Sequence, residues 1–195
     1  MDPWLKEVAG TAYLLLPLVG GAAAHGLCMR HGWLGALARP IDAGRTWRGR
    51  PIFGKSKTFR GPVAVAAGSA AVWALQRGPL HALPALAGLE LADYATLPGA
   101  WLAALAGAAA EIAELPNSFA KRRLGIAPSA TTSGPLSVLF YVWDQTDLLL
   151  GYWLALAWAL PPTPLRIAAS LTIALALHPF LTLIGYLLRM RPTAR

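Results

Sequence analysis

A chain of 195 residues that is 56% hydrophobic and only 13% charged, with a mean hydropathy of +0.49, is not composed like a soluble globular domain. Its net charge of +8 favours anionic partners. The single cysteine, Cys28, excludes an internal disulfide and a cysteine-based metal cluster, and its place in an apolar run reads as packing.

Apolar runs alternating with short polar connections predict an all-α integral membrane bundle of about five transmembrane helices, one domain over residues 1–195. The opening MDPWLKEVAG lacks a basic start and a cleavage site, so the first run is expected to remain as a helix. That helix is predicted over Thr11 to Met29. A polar stretch from Arg39 to Gly61 follows, and Pro62 then suits the start of a second, short helix through PVAVAAGSAAVWALQ. The segment from Gly78 to Gly99, broken by Pro79, Pro84 and Pro98, is expected to be an outside loop with a short interfacial helix. Three more helices are predicted from Ala100 to Leu115, Leu136 to Leu160 and Leu165 to Arg189.

Lys and Arg in short loops are retained on the cytoplasmic side. With the N-terminus outside and the C-terminus cytoplasmic, the inner segments hold Arg30, Arg39, Arg45, Arg48, Arg50, Lys55, Lys57, Arg60, Lys121, Arg122, Arg123, Arg189, Arg191 and Arg195. The outer ones keep Lys6, Arg77 and Arg166. The location expected is therefore the cytoplasmic membrane, multi-pass. The C-terminal bases read as anchors to anionic headgroups.

The other two basic clusters carry more structure. Arg45-Thr46-Trp47-Arg48-Gly49 and Lys57-Thr58-Phe59-Arg60-Gly61 form a near-repeat of base, threonine, aromatic, arginine and glycine. Bases, hydroxyls and glycine-freed amides hold phosphate oxygens, so phosphate or nucleotide binding competes here with headgroup anchoring. A short loop clamped between membrane helices leaves little surface for nucleic acid, and none is expected as a partner.

Glu111 and Glu114 lie three residues apart on one predicted helix face, ahead of a loop carrying Asn117, Ser118, Lys121, Arg122 and Arg123. Asp144 and Asp147 repeat that spacing within the apolar fourth helix. Charges at membrane depth usually face a cavity, a partner or an ion. Four carboxylates are enough oxygen ligands for one or two Mg²⁺ ions, although pairing with Lys121 or Arg122 would satisfy the glutamates, and a proton or cation transporter would also use such acids. His25, His31, His81 and His178 show no shared metal-site spacing.

Pro40-Ile41-Asp42, Gly44-Arg45-Thr46-Trp47-Arg48-Gly49, Ile52-Phe53-Gly54 and Lys57-Thr58-Phe59-Arg60-Gly61 together resemble the signature loop of the CDP-archaeol synthase family. Ser118-Phe119-Ala120-Lys121-Arg122-Arg123-Leu124-Gly125-Ile126, Asp144-Gln145-Thr146-Asp147 and His178-Pro179 resemble its later motifs, in order. The chain departs from that pattern with Lys55 and Ser56 in place of an acid and Asn, Ala113 and Glu114 in place of Gly-Asp, and Thr182 in place of Asn. The resemblance implies a membrane cytidylyltransferase using CTP, an anionic lipid phosphate and Mg²⁺ in the bilayer; a homodimer is one candidate assembly, and the sequence does not fix the oligomeric state. On that reading Asp144 and Asp147, with Glu114 and Glu111, hold the metal. Asp144, Asp147, Lys121 and Arg122 are the catalytic set, while Arg45, Thr46, Arg48, Lys57, Thr58, Arg60, Asn117, Ser118 and Arg123 bind substrate. Ether-linked and ester-linked lipids both remain open, as does an inactive lipid-binding member.

Overall fold

A computed structural model describes residues 2–94, 96–127 and 135–187. The basic cluster at Arg189, Arg191 and Arg195 lies outside the described residues, as do the side chains of His178 and Thr182. The chain begins with helix α1 (Pro3–His31), then a two-stranded hairpin of β1 (Thr46–Trp47) and β2 (Arg50–Pro51), followed by helix α2 (Arg60–Arg77). A one-turn helix α3 (Pro84–Ala87) precedes α4 (Ala100–Arg123), α5 (Pro135–Leu156) and α6 (Pro164–Leu187). The architecture is the mostly helical one expected, with the short helix inside the 78–99 connection. Among the described residues, α1 alone is both long and apolar enough to cross a bilayer by composition, while α6 is apolar over Pro164–Leu177.

Local chemistry sets the helix ends. The Asp2 carboxylate accepts from the Trp4 and Leu5 amides at 2.8 and 3.4 Å, and Pro3 fits the first turn, so α1 begins well before Thr11. Gly32, at φ 68°, closes it. A larger difference concerns α4, which the sequence predicts to stop at Leu115 before Pro116. It continues through Pro116 to Arg123, which places Asn117, Ser118, Lys121, Arg122 and Arg123 on a helix rather than in a loop. A proline inside a helix costs about 3 kcal/mol. Side chains of the two turns beyond it bond to α5 and to the hairpin loop, and these tertiary contacts outweigh that cost.

In the bundle, α2 lies between α1 and α4, α5 packs on the other side of α4, and α6 lies against α1 and α5. The α1–α2 crossing is close because both helices present glycine: a Cβ on Gly68 would lie 2.6 Å from the Gly20 carbonyl. Pro17 offers no N–H to the Tyr13 carbonyl one turn earlier. Gln76 of α2 takes that place, its Nε2 donating to Tyr13 O at 2.7 Å. Tyr152 of α5 likewise donates to Leu14 O at 2.8 Å. Around these bonds Trp73, Tyr94, Leu102 and Leu156 form a fully buried core, with Trp73 and Tyr94 stacked at 4.7 Å. At the same end Arg166 of α6 donates to Glu7 of α1 at 2.7 Å. This half of the bundle holds the buried hydrophobic core, and the larger cluster of bases and acids lies at the other.

Candidate active site

Alternating helix directions bring the end of α1, the start of α2, the end of α4 and the first half of α5 to one end of the bundle, beneath the loop 32–59. The described bases are concentrated at this end, with Lys6, Arg77 and Arg166 at the other.

The loop is an ordered cap organised by Asp42. One carboxylate oxygen accepts from Gly44 N at 2.9 Å, and the other accepts from Phe53 N and Gly54 N at 2.9 and 3.0 Å. Burial raises the pKa of this carboxyl, but the amides of Gly54, Phe53, Gly44 and Asp42 itself outweigh that and hold it below the ordinary 3.8. Its stabilisation is therefore present above the unfolded-state pKa and lost as the pH falls through the lower folded value. An Asp42→Asn variant turns an NH₂ group toward at least one set of donors, so it should be less stable than the parent by about 1–3 kcal/mol at neutral pH. Thermal unfolding at descending pH should show that gap closing below the ordinary carboxylate range.

The two halves of the near-repeat take different structures. Arg48 and Gly49, at φ 50° and 73°, form a tight hairpin turn that sets Trp47 opposite Arg50. The second half pairs with the start of the loop, Ile41 N donating to Lys57 O at 2.9 Å and Pro40 bridging Thr58, before entering α2. Arg123 fastens the hairpin to α4: its guanidinium donates to carbonyls of Trp47, Arg50 and Pro51 and lies over the Phe119 ring at 4.9 Å. Arg122 donates to Phe53 O at 3.1 Å and to Ile126 O. These two arginines, expected to bind phosphate, spend donors on the backbone that shapes the cap.

Beneath the cap, Asn117 Nδ2 donates to Asp144 at 2.6 Å and to Asp147 at 2.8 Å, and Lys121 Nζ lies 2.5 Å from the same Asp144 oxygen. Asp147 is 3% exposed, while the Asp144 side chain is 44% exposed. Lys57 descends from the loop to pair with Glu114. Burial pulls its ammonium below its ordinary pKa, opposed by the charges of Glu111, Asp147 and Asp144, so all three acids lie within electrostatic reach of one amine.

Next to Lys57 is a cavity of about 210 Å³. Its polar lining comes from Ser56, Thr58, Glu114 and the pair His25–Glu111, whose Nδ1 and Oε1 are 3.3 Å apart, and its apolar walls from Ile41, Pro62 and Leu115. Gly61 makes room for that pair, since a Cβ there would lie 2.7 Å from Glu111 Oε2 and 3.4 Å from His25 Cε1. The nearest obstacle is the tip of a flexible side chain. Gly61→Ala is therefore expected to fold and to displace the Glu111 carboxylate, lowering turnover by about tenfold, or about 1.4 kcal/mol, with little change in Tm.

The structure thus brings together Lys57, Thr58, Glu111, Glu114, Asn117, Lys121, Asp144 and Asp147. Ser118 is buried on α4, and Arg60 opens α2 with its Nη2 2.5 Å from Met29 Sδ. Arg45, Thr46 and Arg48 are exposed on the hairpin, and no hydrogen bond or ion pair among the described residues joins their side chains to the cluster. The four carboxylates have different partners: Glu111 faces His25, Glu114 pairs with Lys57, and the two aspartates share Asn117. Among the described residues, no three His, Cys, Asp or Glu side chains form a metal-holding group. The donor chemistry nevertheless suits a hard divalent cation, because Asn117 Oδ1 is a buried acceptor without a partner beside two carboxylates.

Sequence reasoning passed over His25 and the role of Asp42. An ionisable residue inside an apolar helix marks the first, and the Asp-Ala-Gly turn signature marks the second.

A family model described as CarS-like: CDP-archaeol synthase matches residues 8–194. A CDP-archaeol synthase of Methanoculleus marisnigri is 31% identical over 159 residues, 75% of this chain and 84% of the relative. One of Halorubrum lacusprofundi is 39% identical over 97 residues, 49% of this chain and 51% of the relative. A solved structure of an intramembrane enzyme for archaeal membrane lipids biosynthesis aligns with a TM-score of 0.58 and 26% identity, covering 88% of this chain and 91% of that one.

Proposed function

Because the chain belongs to the CDP-archaeol synthase family and is a CTP-dependent cytidylyltransferase of the membrane, we propose that it transfers CMP from CTP to the phosphate of an anionic lipid, as one domain spanning residues 1–195. An oxygen of the lipid phosphate attacks the α-phosphorus of CTP. The bond from that phosphorus to the bridging oxygen breaks, and pyrophosphate leaves with its electrons. Membership of the family sets aside the ion-relay reading of the intramembrane acids.

Lys57 and Lys121 hold phosphate oxygens, since each is an ammonium poised among carboxylates at the meeting point of the loop, α4 and α5. Asp144 and Asp147, beside the unpartnered Asn117 Oδ1, would hold Mg²⁺, which supplies neutralisation of phosphoryl charge when bound. Asn117 keeps the two aspartates together. Arg122 and Arg123 position the cap. Arg45, Thr46, Arg48 and Arg60 form a basic outer rim that draws anions toward the site. The basic end faces the cytoplasm, where CTP is, and lipid phosphate enters from the bilayer with its chains against the exposed apolar side chains of α5, among them Val138, Leu139 and Leu150.

The observation that carries this reading is Lys57 set among Glu111, Glu114, Asp144 and Asp147 beneath a basic cap. Purified protein in nanodiscs, given labelled CTP, Mg²⁺ and a panel of ether-linked and ester-linked lipid phosphates, should form a CDP-lipid and pyrophosphate in equal amounts. Failure with every lipid phosphate would refute it.

A further inference from the structure

Helix α1 runs for 29 residues, about 44 Å at the α-helical rise. That matches the roughly 40–45 Å of a bilayer with both headgroup layers. With Trp4 exposed at the opposite end, Arg30 and His31 reach the headgroups at the basic end, and the chain leaves the helix there. The residues that follow turn back on themselves. Gly32 and Leu34 are both left-handed, at φ 68° and 56°, and the second is a conformation that a residue with a side chain adopts at a cost. One turn of 3₁₀-helix, Gly35–Leu37, comes next, closed by Leu37 N donating to Leu34 O at 2.9 Å. The result is a short finger with apolar side chains left uncovered: Met29, Trp33 and Leu34 are 52%, 56% and 41% exposed. Trp33 stacks on His31 of the same segment at 5.0 Å, whereas the exposed Trp47 is held against Phe119 and Arg123 of α4.

We infer that the outer face of residues 29–39 docks on anionic lipid headgroups, with Trp33 and Leu34 set into the interface and Arg30 and Arg39 on the lipid charge, and that docking steadies the placement of Lys57. Charge complementarity identifies the occupant. Asp42 is the single acid between Met29 and Arg60, and its two oxygens are taken by backbone amides, so no acid of this loop is free to neutralise the exposed arginines. Arg30 and Arg39 are both exposed, and Arg39 Nε donates to Ala36 O at 3.0 Å, which draws its guanidinium back over the finger. A tryptophan and a leucine between two arginines, at headgroup depth, combine apolar insertion with attraction to anionic lipid. An acidic protein surface would match the arginines but would have to displace lipid from Trp33 and Leu34. The finger is joined directly to the cap. Arg39 O accepts from Phe59 N at 3.2 Å, Pro40 bridges Thr58, and Ile41 N donates to Lys57 O at 2.9 Å. Holding residues 30–39 on the bilayer surface therefore holds the strand that sets where Lys57 descends. The docking stands apart from the proposed transfer, and only the importance of Lys57 rests on that reading.

The test places a nitroxide on Ala36→Cys, in a Cys28→Ala background, and compares nanodiscs of phosphatidylcholine with discs that also contain phosphatidylglycerol. Phosphatidylglycerol is a phosphodiester, so it carries the charge but no terminal phosphate to accept CMP. The nitroxide should sit deeper when phosphatidylglycerol is present, and high salt should reverse that difference in the same protein. Amide exchange at Ile41 and Phe59 should slow by at least about threefold on the anionic discs, and Arg30→Gln/Arg39→Gln should lose both responses. The double variant meets the same surface, so any general effect of lipid charge on exchange chemistry cancels in the comparison. A nitroxide at equal depth in both discs makes the finger a neutral anchor and overturns the inference. One that stays in water in both assigns the face to solvent or to a protein and overturns it too. Retention of both responses in the double variant moves the lipid to other bases and refutes the assignment, while a deeper nitroxide with unchanged exchange refutes the link to Lys57. Should the double variant fail to fold, the salt series tests the charge by itself: a depth shift that persists in high salt rules out Arg30 and Arg39 as its source. None of these readouts uses CTP, so absence of a CDP-lipid product would refute the transfer and leave the docking standing.

Discussion

Replacing Asp147 by Asn should lower CDP-lipid formation by about 10²–10³-fold while leaving the fold nearly as stable as before. The two effects separate because of how Asp147 is held. Its Oδ1 accepts from the Leu148 amide at 2.8 Å and its Oδ2 from Asn117 Nδ2 at 2.8 Å. A substituted amide keeps its oxygen on the Leu148 amide and turns an NH₂ toward Asn117. The Asn117 carboxamide can then rotate, because its Oδ1 is a buried acceptor without a partner. That rotation gives up the Asn117 bond to Asp144, which keeps Lys121 as a partner, and the charge at position 147 is lost. If the carboxylate helps to hold a divalent cation against phosphate, turnover should collapse with Tm nearly unchanged, and the affinity for Mn²⁺ as a spectroscopic stand-in for Mg²⁺ should fall with it. Turnover near the parent value would remove Asp147 from the machinery.

Lys57→Met should cost about 10²-fold in kcat and should also change how the protein responds to divalent cations. The methionine has similar length and no charge, so Glu114 loses its ion-pair partner while Glu111, Asp144 and Asp147 remain nearby. Neighbouring carboxylates without a counter-charge repel one another. The variant's Tm should therefore rise with added Mg²⁺ more steeply than the parent's, because a divalent cation replaces the missing ammonium. Lys57→Arg should restore the Tm behaviour more fully than the rate, since a planar guanidinium keeps the charge but not the compact donor geometry. A Lys57→Met protein with parental kcat would exclude the amine from phosphate binding.

The Asp42 and Lys57 predictions concern one loop, and together they show how the cap works. Asp42 fastens the backbone of residues 44 and 53–54, and the strand-like pairing of Ile41 with Lys57 then fixes where the lysine descends. Arg122 and Arg123 hold the same cap from α4. A defect in any of these should loosen Lys57 without touching a substrate.

Much of this was legible in the chain itself. Apolar runs of bilayer length separated by basic or proline-rich connections determined a helical bundle with its bases at one end, because hydropathy and charge act on each segment independently of its neighbours. Spacing alone put Glu111 with Glu114 and Asp144 with Asp147 on common faces. What a carboxylate pairs with is decided by other segments. Only the tertiary structure carried α4 through Pro116, because bonds from Asn117, Arg122 and Arg123 to distant residues outweigh a local helix-breaking preference. Only it split the near-repeat into a hairpin and a helix start, gave Arg122 and Arg123 bonds that brace the cap, and set His25 against Glu111 across the gap left by Gly61. Composition and periodicity report what a residue is and which face it shares, whereas the partner it meets depends on helices that the chain reaches more than 80 residues later.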